Sequence, residues 1–169
     1  MPNTAHQRFT ALKSGEVDIL ARPTTWTLKR DTALGLDFTG VNYYDGQGFM
    51  VSKKLGVKSA KELNGATVCV QPGTTTELNL SDYFRANKMT FKPVVISDLA
   101  EIEAAFFSGR CDVYTTDASG LASTRAVKAS NPDDYVILPE IISKEPLAPA
   151  VRHGDDEWFD IVKWTIYAL

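Results

Sequence analysis

Residues 66–77 read Ala66-Thr-Val-Cys-Val-Gln-Pro-Gly-Thr-Thr-Thr-Glu77 and predict a buried strand followed at once by a helix. The apolar run at 66–71 is typical of a strand whose two faces are both covered. Thr74 and Glu77 have the spacing of a capping box, in which the two side chains satisfy free N–H groups at a helix start. The stretch therefore predicts one strand–helix unit, with the helix at 75–87.

Strands and helices alternate on both sides of this unit. Further strands are predicted at 17–21, 41–45, 48–52, 92–96, 112–116, 135–138 and 147–152. Further helices are predicted at 5–14, 98–107, 118–129 and 155–169, with a short one after Ser59. Such alternation is typical of an α/β fold with a largely parallel sheet.

Residues 11–20 resemble residues 105–114, with Ala, Ser, Gly and Asp at equivalent positions. Each copy predicts a helix end, a glycine stop and a buried strand. Any strand–helix unit could give this pattern. The alternative is two lobes built alike, with ligand bound beyond the carboxyl ends of their strands.

The chain has 169 residues, with 18 Lys and Arg against 21 Asp and Glu, and a net charge of −3. A nearly neutral chain without a basic block argues against nucleic acid as the main partner. No apolar run approaches the roughly 20 residues that span a bilayer. With only two histidines, His6 and His153, we expect neither a metal site nor a cofactor. Cys69 and Cys111 are either a disulfide or two buried thiols.

Two segments could each bind a carboxylate. Arg30 follows Thr25 in a polar loop, and a guanidinium can hold a carboxylate through two parallel hydrogen bonds. Thr74 and Thr75 begin a predicted helix, where free N–H groups and the helix dipole favour an anion. A surface arginine and an ordinary helix cap are the alternative interpretations.

Asp117 ends another predicted strand and could bind an ammonium group or cap the helix that follows. An arginine, a helix start and a carboxylate together suit a zwitterion such as a free α-amino acid. The sequence has no convincing nucleophile and base pair, so we do not expect an enzyme.

Six segments carry a family resemblance: 8–18, 24–31, 43–50, 69–78, 112–117 and 138–146. In them the chain resembles the extracytoplasmic family 3 solute-binding proteins of polar amino acid ABC transporters, and most of all the general L-amino-acid subgroup. The resemblance implies a type II periplasmic-binding-protein fold, with two α/β lobes, a cleft and two hinge strands near 41–45 and 147–151. Residues 1–44 and 147–169 would form a partial first lobe, and residues 45–146 a complete second lobe.

The resemblance also implies ligand contacts. Arg30, assisted by Thr25, is similar to the arginine that clamps the ligand α-carboxylate. Thr75 and its backbone N–H, beside Thr74, are similar to the carboxylate site of the second lobe. Asp117 is similar to the acid that binds the α-ammonium group. The Pro23 carbonyl is expected to share that group.

The implied function is extracytoplasmic binding of a Glu-, Gln-, Asp- or Asn-like L-amino acid for delivery to an ABC permease. Alternatives are an enzyme on the same fold, similar to cyclohexadienyl dehydratases, and the amino acid-sensing module of a receptor. The family's first lobe begins with a further segment that this sequence lacks. We therefore expect the isolated chain to bind amino acids weakly or not at all and to form homodimers. We also expect a periplasmic location, with the signal peptide lost alongside that segment.

Overall fold

A computed structural model describes residues 4–169, which fold into two compact units. The first unit contains His6–Asp45 and Glu145–Leu169, and the second contains Gly46–Lys144 with Thr4 and Ala5. The helices are α1 (Gln7–Ser14), α2 (Thr75–Ala86), α3 (Leu99–Phe107), α4 (Ala118–Lys128) and α5 (Asp156–Tyr167). The strands are β1 (Leu36–Phe38), β2 (Tyr43–Asp45), β3 (Gln47–Ser52), β4 (Thr67–Val70), β5 (Lys92–Val95), β6 (Val113–Asp117), β7 (Tyr135–Ile137), β8 (Glu145–Leu147) and β9 (Ala150–Arg152).

The second unit is built on a five-stranded sheet in the order β5-β4-β6-β3-β7. Strand β4 pairs in parallel with β5 and β6, whereas β3 runs antiparallel to β6 and β7. The predicted largely parallel sheet is therefore confirmed for four strands and wrong for β3. Parallel strands need a long crossover connection before them, but only Gly46 separates β2 from β3. Strand β3 therefore runs opposite to the other four strands.

Apolar side chains cover both faces of this sheet. Along β3, Phe49 and Val51 pack in one cluster with Leu80 and Phe84 of α2. Met50, between them in sequence, packs on the opposite face with residues of α3 and β6. This alternation follows from the period of two in a strand. Burial on both faces explains why the run at 66–71 is nearly all apolar.

Cys69 and Cys111, which the sequence left open between a disulfide and two buried thiols, form a disulfide. Cys69 lies in β4 and Cys111 lies just before β6, and these neighbouring strands bring the two Cα atoms to 5.7 Å. Both residues are buried.

The first unit contains two short antiparallel pairs, β1 with β9 and β2 with β8. The single strand predicted at 147–152 is wrong. Pairing with β2 ends at Leu147, and pairing with β1 begins only at Ala150. Pro149 lies at the break and has no N–H to donate, while its carbonyl accepts the N–H of Thr39 at 3.0 Å. The sequence analysis also missed β1.

The strand predicted at 17–21 is wrong as well. Leu20 forms an isolated bridge with Ala150. The carbonyl of Val17 accepts from the Arg152 guanidinium at 2.7 Å, and that of Asp18 accepts from the indole of Trp158 at 3.0 Å. These side chains occupy acceptors that a neighbouring strand would need. The internal resemblance thus extends to the helix and its glycine stop, but not to the strand.

Most helices begin and end within two residues of their predicted positions. Gly15, in the left-handed conformation, ends α1 as the sequence indicates. The short helix after Ser59 is a single 3₁₀ turn, Ala60–Glu62. Between Thr4 and Leu169, no helix has both the length and the apolar character needed to cross a membrane.

Candidate functional site

Arg30 is buried in the first unit, with 7% of its surface exposed. It lies in one turn of π-helix, Lys29–Ala33, where the sequence predicted a loop. Its Nη1 donates to the carbonyl of Thr25 at 2.8 Å, and its Cζ lies 5.1 Å from the ring centroid of Phe9. These contacts orient a planar group whose N–H donors match a carboxylate.

A second arginine, Arg8, also packs against the ring of Phe9. The Cζ of Arg8 lies 4.9 Å from the Phe9 centroid, and its Nη1 donates to the carbonyl of Pro23 at 2.5 Å. A carbonyl oxygen has two lone pairs, so this bond is compatible with a second donor at Pro23. The expected role of Pro23 toward an ammonium group stays a prediction.

Thr25 connects the Arg30 turn to β8. Its hydroxyl donates to the carboxylate of Glu145, and its backbone bridges Leu147. Thr25 and Glu145 are both buried. Thr25 and Arg30 are predicted from the sequence, but the roles of Phe9 and Glu145 are not. The sequence around Phe9 and Glu145 does not indicate which side chains they contact in the fold.

In the second unit, Thr74 caps α2 as predicted. Its Oγ1 accepts the N–H of Glu77 at 3.1 Å and donates to the carbonyl of Gln71 at 2.8 Å. The Glu77 carboxylate accepts the N–H of Gly73 at 2.8 Å, one residue earlier than a standard capping box. Thr75 is the first helical residue, so its backbone N–H belongs to the positive end of α2.

Asp117 is the last residue of β6 and the N-cap of α4, but its side chain makes no capping hydrogen bond. The N–H of Ala118, the first residue of α4, donates to the carbonyl of Gly46 at 2.8 Å. Because β4 and β6 are parallel neighbours, their carboxyl ends lie at the same end of the sheet. Asp117 and the start of α2 both lie at that end.

Gln47, which the sequence analysis did not single out, lies between these two elements. It is fully buried, and its Nε2 donates to the Thr76 carbonyl at 3.1 Å and to Thr115 Oγ1 at 2.9 Å. A glutamine opening an otherwise apolar strand was the available signal. In the first unit, Trp26 stacks on Phe38 with the ring centroids 5.6 Å apart.

Across residues 4–169, no three His, Cys, Asp or Glu side chains lie close enough together to hold a metal ion. The polar groups described above are donors and acceptors for hydrogen bonds and charge pairing. In the first unit the guanidinium of Arg30 has the chemistry to bind a carboxylate, and in the second unit the carboxylate of Asp117 has the chemistry to bind a cation.

The fold is that of periplasmic amino-acid-binding proteins. A solved ABC-transporter periplasmic binding protein from Brucella ovis, with glutathione bound, superposes with a TM-score of 0.93 at 62% identity. It is matched over 98% of this chain and 52% of its own. The chain belongs to the NMT1/THI5-like family, whose sequence profile matches residues 2–142.

Two curated relatives are similar over nearly the whole chain. The general L-amino acid-binding periplasmic protein AapJ of Rhizobium johnstonii is 66% identical over 99% of the chain. The glutamate/glutamine/aspartate/asparagine-binding protein BztA of Rhodobacter capsulatus is 67% identical over 100%. The chain spans about half the length of these relatives, 49% and 50% respectively. The predicted resemblance to amino-acid-binding proteins of ABC transporters is confirmed.

Proposed function

We propose that the protein containing this chain binds a free polar L-amino acid outside the cytoplasm and delivers it to an ABC importer. The observation that carries this proposal is the 67% identity, over the entire chain, to a relative named for binding glutamate, glutamine, aspartate and asparagine. The buried Arg30 and the carboxylate of Asp117, at the end of β6, supply the two opposite charges that such a ligand needs.

We assign the ligand contacts as the resemblance implies. Arg30 binds the α-carboxylate, assisted by Thr25, whose carbonyl holds the guanidinium while its hydroxyl donates to Glu145. The N–H and hydroxyl of Thr75, beside Thr74, bind the same carboxylate. The contacts that Arg30 makes with Thr25 and Phe9 support this role, because an already oriented guanidinium loses little freedom when it binds.

The α-ammonium group is assigned to Asp117, with the carbonyl of Pro23 as a second acceptor. The carboxylate of Asp117 supplies the negative charge that an ammonium group needs, and it lies at the carboxyl end of β6, where α/β folds commonly bind their ligands.

Glutathione is the second candidate ligand, because a 62% identical solved relative holds it. The γ-glutamyl end of glutathione carries the α-carboxylate and α-ammonium of an amino acid. The six residues assigned above could therefore bind this end of glutathione. Only the space needed for the rest of the ligand would differ.

We further propose a periplasmic location, a permease partner and no catalytic turnover. AapJ and BztA are both named as binding proteins, and the Cys69–Cys111 disulfide suits an oxidising compartment. The homodimer stays a prediction, supported by the exposed Ile161, Trp164 and Tyr167 of α5. Sedimentation equilibrium that yields only monomer would contradict it.

Titration calorimetry on the natural protein that contains this chain tests the proposal. The ligands are L-glutamate, L-glutamine, L-aspartate, L-asparagine and glutathione, with D-glutamate as the stereochemical control. We expect saturable 1:1 binding of at least one L-amino acid, and no change in the ligand after overnight incubation. Failure to bind any of the five would contradict the proposal, and chemical conversion of the ligand would favour the enzyme alternative.

A further inference from the structure

We propose that Gln47 is a positioning residue that holds the start of α2 against the strand end carrying Asp117. This inference rests on the proposed function, because it concerns the residues assigned to the ligand in the second unit. Gln47 itself is fully buried and is not assigned a ligand contact.

The orientation of the Gln47 amide follows from its partners. The carbonyl of Thr76 can only accept, so the NH₂ group must face it at 3.1 Å. The hydroxyl of Thr115 donates to the carbonyl of Gly48 at 2.7 Å, so it also accepts from Gln47, at 2.9 Å. Both amide hydrogens are therefore used, one on helix α2 and one on strand β6.

Each of these bonds ends close to a proposed ligand residue. Thr76 directly follows Thr75 in the first turn of α2. Thr115 lies two residues before Asp117 on β6, so the two side chains share one face of the sheet. Gln47 is also paired directly with Asp117 in the β3–β6 register, which places it on that same face.

The backbone of Gln47 is fixed independently of its side chain. Its N–H donates to Ser143 Oγ at 3.1 Å, and its carbonyl accepts the N–H of Ile142 at 2.9 Å. An anchored backbone and a fully buried side chain make the amide a rigid brace. We infer that the brace fixes the spacing between the Thr75 N–H and the Asp117 carboxylate.

Gln47→Met is the test variant, because methionine has nearly the same length and no hydrogen-bond donor. The fold is expected to tolerate it. Oε1 of Gln47 has no hydrogen-bond partner among the residues that the structure describes, so the change also removes a buried unsatisfied acceptor. Thr124→Val is the matched control: it deletes another buried side-chain hydrogen bond of the second unit, the 2.9 Å bond to Glu103.

Hydrogen exchange tests the brace without any ligand. In the natural protein, we expect Gln47→Met to speed exchange of the amides at the start of α2 by about tenfold, the effect of losing one or two hydrogen bonds. Thr124→Val should leave these amides unchanged. Unchanged exchange in Gln47→Met would overturn the proposal. If that variant does not fold, Thr115→Val removes one of the two acceptors, and the same faster exchange is expected.

Binding of L-glutamate, measured by calorimetry, then links the brace to the site. We expect Gln47→Met to weaken binding by about tenfold and Thr124→Val to leave it unchanged. In an Asp117→Asn background, the loss caused by Gln47→Met should be smaller, because the spacing between the Thr75 N–H and the Asp117 carboxylate no longer sets the affinity. Full additivity, or unchanged affinity despite faster exchange, would overturn the positioning role. If the wild-type protein binds none of the ligands named above, the proposed function fails while the exchange result still decides whether the brace exists.

Discussion

The guanidinium of Arg30 lies over the ring of Phe9, with 5.1 Å between Cζ and the ring centroid. Phe9 belongs to α1 and Arg30 to a separate π-helical turn, so the contact joins two elements of the first unit. Both side chains are buried, and a desolvated cation–π contact of this kind contributes about 2 kcal/mol. Phe9 therefore both stabilises the unit and orients its proposed carboxylate-binding group.

Replacing Phe9 with leucine should weaken ligand binding as well as folding. The variant keeps an apolar side chain but removes the ring, so we expect L-glutamate affinity to fall about tenfold. Calorimetry measures this effect. Phe159→Leu is the control, because Phe159 lies under Lys163 in the same unit and has no part in the proposed site. Equal affinities for the Phe9 variant and wild type would contradict the orienting role.

Arg30→Lys should reduce affinity while the positive charge is kept. Lysine cannot present two parallel donors to a carboxylate, and the loss of one charged hydrogen bond costs about 2 kcal/mol, or roughly 30-fold in affinity. Arg85→Lys is the matched control, since Arg85 forms an exposed ion pair with Asp82. Equal affinity of Arg30→Lys and wild type for L-glutamate would show that Arg30 does not bind the carboxylate.

Local sequence signals predicted the features that depend on neighbours along the chain. The Thr74 cap and the Gly15 stop follow from capping chemistry and from the backbone freedom of glycine. The same signals named Cys69 and Cys111 as a possible pair, but only the pairing of β4 with β6 shows that they form a disulfide.

Features that depend on distant residues were missed. The fate of residues 17–21 is decided by Arg152 and Trp158, more than a hundred residues away in sequence. The contacts of Gln47 and Phe9 likewise require the assembled fold. A single sequence shows that these residues are present, but not which partners they meet.

The Cys69–Cys111 disulfide should contribute measurably to the stability of the second unit. The two cysteines are 42 positions apart, and closing a loop of that size constrains the unfolded chain by about 4 kcal/mol. Urea unfolding with and without a reductant should differ by about this amount. The double variant Cys69→Ala/Cys111→Ala is the control, and its unfolding should not respond to the reductant. Identical curves for oxidised and reduced wild type would contradict the prediction.

Glu140 should make the second unit sensitive to acid. Burial raises the pKa of Glu140, but hydrogen bonds from Ser59 and the Ala60 N–H, together with the charge of Lys61, lower it below its ordinary value of 4.5. A lowered pKa in the folded state stabilises the fold above pH 4.5, and this contribution disappears as pH falls through the folded-state pKa.

Glu140→Gln provides the measurement, because its amide cannot titrate. We expect wild type to be more stable than the variant at neutral pH, with the difference shrinking as the pH falls below 4.5. Glu157→Gln, which removes an exposed charge on α5, is the control. A difference between wild type and Glu140→Gln that stays constant with pH would show that Glu140 does not act through its ionisation.

Recognition of a zwitterion is the central claim, and binding of L-glutamate, glutarate and γ-aminobutyrate to the natural protein tests it most directly. Glutarate lacks the α-ammonium group assigned to Asp117, and γ-aminobutyrate lacks the α-carboxylate assigned to Arg30. We predict that each binds at least about 30-fold more weakly than L-glutamate, because each leaves one charged protein group without its partner. Affinity for either analogue equal to that for L-glutamate would contradict the account.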